Sequence, residues 1–114
     1  VTSHTLFMLN PWKEEDQGPY YCPDCGVVEG FFAYSPGAKV DLEIIHVEFP
    51  RPRARVVEVL GMENQGCPVL VLAKGTPAPQ AAKKSMSTGA LFIDDAVAIC
   101  NFLGQTYGGV LPHP

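Results

Sequence analysis

Cys22 and Cys25 stand three residues apart in Cys22-Pro23-Asp24-Cys25, and a CxxC pair does one of two kinds of chemistry. Two nearby thiols can exchange electrons with a disulfide, or they can supply half of a tetrahedral metal site. The remaining cysteines, Cys67 and Cys100, are isolated in sequence. The zinc reading has one point in its favour: CPDCG looks like one knuckle of a zinc ribbon. A ribbon needs a second knuckle, and the chain has none. His4, His46 and His113 lack ligand spacing, so no metal site is expected, although Cys22, Cys25 and Cys67 remain an alternative ligand set. A disulfide framework is disfavoured as well. The opening VTSHTLFMLNPW has no basic segment or small-residue cleavage site, so no signal peptide and no oxidising compartment are expected.

Thiol–disulfide exchange requires a thiolate and an accessible sulfur. Pro23 suits a first helical position, which makes Cys22 the N-cap of a helix and Cys25 a residue one turn in. The unpaired N–H groups and the positive dipole end of that helix favour a thiolate at Cys22. Asp24 opposes it with a like charge. Cys22 is therefore the expected exposed nucleophile and Cys25 the more buried resolving thiol. Arg51, Arg53 and Arg55 form a candidate anion site, against the alternative of a solvated face. Cys100 reads as core, and Cys67 as either a small buried hydrophobe or a third thiol of the site.

The elements that must position these groups follow from hydrophobic period. Thr5–Leu9 is a short apolar run and reads as a strand, and 10–21 as a polar loop carrying Glu14, Glu15 and Asp16. Val27, Val28, Phe31 and Phe32 recur at helical spacing after Cys22. Val40–Phe49 alternates as a strand. Pro50 and Pro52 open a helix striped by Val56, Val57 and Leu60 and stopped by Gly61. Val69–Ala73 is a central strand, and 74–88, without period, a long mobile loop. Ala90–Ile93 is a strand, and Asp94 or Asp95 caps a last helix striped by Val97, Ile99, Phe102 and Leu103. The expected order is β-α-β-α-β-β-α. It makes one α/β domain over residues 1–114, with a mixed sheet and helices on both faces.

That order, with CxxC opening the first helix, resembles the thioredoxin fold. So does Gly66-Cys67-Pro68-Val69-Leu70, which stands where that fold places a cis-proline before a strand. ALFIDDAVAICNFLGQTYG resembles the last strand and helix of a glutathione S-transferase N-terminal domain. The stretches YYCPDCGVVEG, FPRPR, ENQGCPVLVL, FIDD and the final HP are similar to a small proteobacterial family of thioredoxin-like proteins of unknown function. The resemblance implies a cytoplasmic protein with Cys22, Cys25 and Pro68 at its centre, and Pro23, Asp24, Cys67, Asp94 and Asp95 beside them. It implies protein or small-molecule disulfides as partners, and it admits glutathione without requiring a cofactor. Asp95 departs from the transferase pattern, which has serine there. Its carboxylate would repel the γ-glutamyl carboxylate of glutathione, so a complete transferase is not expected.

Composition bounds the rest. The chain has 114 residues, 46% hydrophobic and 18% charged, which excludes disorder as the whole answer. No apolar run approaches the ~18 residues of a membrane span. The net charge of −4 argues against nucleic acid or an anionic membrane as main partner. Three classes of function remain: a thiol–disulfide oxidoreductase or redox sensor, a non-catalytic interaction module, and a metal-binding domain. The oligomeric state is not legible.

Overall fold

A computed structural model describes residues 3–114. Five strands form one sheet: β1 (Thr5–Leu9), β4 (Glu43–Val47), β5 (Val69–Val71), β6 (Lys83–Lys84) and β7 (Leu91–Ile93), in the order β4-β1-β5-β7-β6. β2 (Trp12–Glu14) and β3 (Gln17–Tyr20) make a separate hairpin. The helices are α1 (Pro23–Tyr34), α2 (Ala54–Leu60) and α3 (Ala96–Tyr107), with a 3₁₀ turn at Pro36–Lys39. β1 and β4 run parallel, which the α1 crossover between them permits, and the other pairs are antiparallel. The fold is thus an α/β fold with a mixed sheet and three helices.

Strand side chains alternate between two apolar clusters. Leu6 and Met8 of β1, Leu70 of β5 and Ile93 of β7 pack with Val28, Phe31 and Phe32 of α1 and Ile99 and Leu103 of α3. Phe7, Val69, Val71 and Phe92, their sequence neighbours, pack with Val56 and Leu60 of α2. Gly108, in the left-handed conformation at φ 73°, stops α3 as glycine does at a C′ position. Among the described residues, no helix is long and apolar enough to cross a membrane.

Four expectations need correction. The strand expected over 40–49 is shorter, because β1 offers only five partners and pairs them with Glu43–Val47; Val40 is 81% exposed. Residues 12–20 are a hairpin, with Trp12 opposite Tyr20 and Glu14 opposite Gln17. Its turn puts Glu15 at φ 58°, a conformation glutamate rarely adopts, so that position lacks the Gly or Asn that would mark it. The segment 74–88, expected to lack anchors, has several. Lys83 and Lys84 pair with β7, and the buried Ser85 donates its hydroxyl to the Leu60 carbonyl at 2.8 Å. Thr88 Oγ1 donates to the Val59 carbonyl at 2.7 Å, so polar side chains supply the anchors that a hydrophobic period cannot show. Val27 and Val97, read as core stripe, are exposed, and Cys25 and Cys100 fill the helix faces instead.

Candidate functional site

Cys22 is the N-cap of α1, with extended backbone at φ −74° and ψ 117°, and Pro23 is the first helical residue. The Cys25 N–H donates to Cys22 Sγ at 3.2 Å, so the sulfur occupies the place a capping oxygen ordinarily takes. On its other side Cys22 Sγ donates to the Cys67 carbonyl at 3.8 Å. The sulfur that ends the β1–α1 connection thus touches the segment that enters β5. All four cysteines are free.

Both thiols of the pair are covered. Cys22 is 9% exposed and Cys25 5%. The expectation of an exposed Cys22 is corrected on this point: the sulfur belongs to the same apolar cluster as Met8 and Val28, with Trp12 and Cys67 packed against it. Burial pushes the Cys25 thiol up to about 12. The neighbouring sulfurs of Cys22 and Cys67 add to the rise, and a backbone hydrogen bond at Leu9 works against it. Burial also raises the Cys67 thiol. There the charge of Arg53 is the main opposing influence, with Arg51 adding to it.

Pro68 is buried and joined to Cys67 by a cis peptide bond, and Cys67 is half-buried. Asp24 is exposed in the first turn of α1. Asp95 caps α3, its carboxylate accepting the Ala98 N–H at 2.9 Å. Asp94 pairs with Lys83 at 3.1 Å.

The arginines do not form one anion site. Arg53 is 6% exposed, and its guanidinium is spent on backbone: Nε and Nη2 donate to the Phe49 carbonyl, and Nη1 to that of Gln65. Arg51 lines a polar cleft of about 200 Å³ with Glu63, Asn64, Gln65, Gly66 and Asp94. Arg55 lines a different cavity of about 460 Å³ over Phe7, Ile45 and Val71. Arg51 lies before α2, Arg53 is its N-cap and Arg55 is inside its first turn, so the three side chains do not share one face.

Two supports of the site had no sequence signal. Gln65 is buried in a stretch, Glu63-Asn64-Gln65-Gly66, that reads as ordinary loop; its Oε1 accepts the Arg53 N–H at 2.7 Å. Phe49 stacks on Trp12 with ring centroids 4.2 Å apart and an interplanar angle of 9°, and Arg53 lies over the same ring at 5.3 Å. This column joins the β2–β3 hairpin to the start of α2. Among the described residues, no group of three or more His, Cys, Asp or Glu side chains is arranged to hold a metal ion.

No curated protein and no solved structure matches the chain. A family model does, over residues 3–111, a span that takes in the cysteine pair, the Arg53–Gln65 brace and Cys67–Pro68. With nearly its whole length matched, the chain belongs to the family described as "Protein of unknown function (DUF3088)".

Proposed function

We propose that this protein is a thioredoxin-like thiol–disulfide oxidoreductase working through Cys22 and Cys25. The observation that carries the reading is the sulfur cap: Cys22 Sγ receives the Cys25 N–H at 3.2 Å at the start of α1. The sulfur sits against a backbone donor at the start of a 12-residue helix. The thioredoxin-like arrangement, a single domain with helices on both sheet faces, is supported by the two apolar clusters and by Cys67–Pro68 lying against Cys22.

The reaction runs in two displacements. The Cys22 thiolate attacks one sulfur of a substrate disulfide and forms a mixed disulfide, and the first substrate thiolate leaves. Cys25 then gives up its proton and attacks Cys22 Sγ. The second substrate thiolate leaves, and Cys22 and Cys25 are joined. The substrate gains two electrons and the pair loses them. A small dithiol or a cytoplasmic thiol such as glutathione returns them by the reverse exchange. Burial raises the Cys25 thiol, which disfavours two adjacent negative sulfurs in the resting pair.

The burial of Cys22 favours a second reading, an interaction module that keeps the fold without the chemistry. One experiment separates the two. The reduction potential of the Cys22–Cys25 pair is measured, with turnover of a small disulfide by wild type, Cys22→Ser and Cys25→Ser. The oxidoreductase gives a potential in the thioredoxin-to-glutaredoxin range, no activity in Cys22→Ser, and in Cys25→Ser a reaction that passes through a mixed disulfide on Cys22. Equal turnover in all three overturns it.

A further inference from the structure

Three cysteines come together at the site, Cys67 packing against the cluster that holds Cys22 and Cys25, and the reaction above uses two of them. Cys67 is less buried than either Cys22 or Cys25. Its own carbonyl touches the reacting sulfur, at 3.8 Å from Cys22 Sγ. Its backbone is fixed on both sides. Pro68 follows it, and two residues earlier Gln65 is tied to the buried Arg53 by two hydrogen bonds. Cys22 thus has a thiol-bearing residue on each side, Cys25 in α1 and Cys67 at the entry to β5.

We propose that Cys67 is a second resolving thiol, able to attack the mixed disulfide on Cys22 in place of Cys25. This rests on the reading of Cys22 as nucleophile. In the step, Cys67 loses its proton to solvent and its sulfur attacks Cys22 Sγ. The bond between Cys22 and the substrate sulfur breaks, and the substrate leaves as a thiolate that takes up a proton. A Cys22–Cys67 disulfide remains. The substrate disulfide is the oxidant, and the two electrons come from Cys22 and Cys67.

The surroundings of the two resolving thiols differ in a way that suits this division. Burial raises both thiols, but the charged neighbours of Cys25 are only other sulfurs, whereas at Cys67 the guanidinium groups of Arg53 and Arg51 oppose the rise. Positive charge nearby raises the share of attacking thiolate. Oxidation through Cys67 also ties α1 to the β5 entry, whereas Cys22–Cys25 closes a loop within one helical turn. The product states of the two routes are thus structurally distinct.

The test uses the full chain as Cys25→Ser, with Cys25→Ala as a second variant in case serine is not tolerated. Each is reduced, freed of reductant and given a stoichiometric amount of bis(2-hydroxyethyl) disulfide. Intact mass and peptide mapping follow, and released 2-mercaptoethanol is counted. The expected result is loss of two hydrogens, a Cys22–Cys67 cross-link and two thiols released per protein. Adding Cys67→Ser should stop the reaction at one thiol, with the adduct kept on Cys22. A stable Cys22 adduct in both Cys25 variants overturns the role of Cys67 and leaves the nucleophile intact. Absence of any Cys22 adduct in the Cys25→Ser/Cys67→Ser protein overturns the nucleophile, and this proposal with it.

Discussion

Arg53 and Gln65 hold each other twice: the Arg53 N–H donates to Gln65 Oε1 at 2.7 Å, and Arg53 Nη1 donates to the Gln65 carbonyl at 2.8 Å. Both residues are buried, so these bonds replace water on groups that could not otherwise be satisfied. The pair joins the start of α2 to the turn before Cys67. Arg53→Met leaves the Phe49 and Gln65 carbonyls without that donor. It should cost about 1.5–3 kcal/mol, the range for hydrogen bonds to a charged group. Arg55→Met, at an exposed position of the same turn, should stay within about 0.5 kcal/mol. Urea unfolding of both variants measures the difference, and equal midpoints would show that the brace contributes nothing.

The buried thiols set an alkaline limit on stability. Cys25 is raised from 9.0 to about 12, so between those values the unfolded chain ionises and the folded chain keeps its proton. The unfolded state then binds fewer protons, and stability falls as pH rises through this window. Cys67 and Cys100 are raised in the same sense and steepen the fall. Urea midpoints measured from neutral pH upward should drop beyond about pH 9. Cys25→Ala should flatten the slope, and an unchanged slope would count against burial of that thiol.

Asp94 and Asp95 are adjacent yet should behave differently. Asp95→Ala removes the cap of α3 and should cost about 1 kcal/mol. Asp94→Ala removes a largely exposed pair with Lys83 and should cost less than about 1 kcal/mol, and less still in high salt. Thermal melts at two salt concentrations distinguish them. A salt-sensitive Asp95 effect would place its role in charge instead of capping.

Ser85 anchors the segment after β6. Its hydroxyl donates to Leu60 and accepts the Thr88 N–H, and the residue is 1% exposed. Ser85→Ala should cost about 1 kcal/mol, since the Leu60 carbonyl keeps only the Asn64 amide as donor and the Thr88 N–H loses its acceptor. Deletion of 78–85 removes β6 as well and should cost more than the point change. A deletion variant as stable as wild type would show that the contacts of β6 and Ser85 contribute no net stability.

The chemistry-bearing half of the site was legible in the chain itself. Cysteine spacing, a proline in first helical position and a following apolar period are local properties, and they put Cys22 at the cap and Cys25 inside the first turn. The strand β1, the central β5 and the helices α1 and α3 were legible for the same reason, because burial of one face leaves a period in sequence. Asp95 as a cap is likewise local.

What local pattern could not reach was everything set by residues far apart in the chain. The length of β4 was decided by the five-residue partner β1, 38 positions away. The anchoring of Ser85 was decided by the Leu60 carbonyl, 25 positions away. The three arginines share one short stretch of sequence, yet only packing around Phe49 and Gln65 fixed which of them was buried. The burial of Cys22 has the same origin. Its sequence neighbours describe an open helix start, and the Cys67 segment that lies against it arrives from 45 residues away. A single sequence carries the preferences of each segment. The cover over a sulfur is a property of two segments together, so only the tertiary structure could decide it.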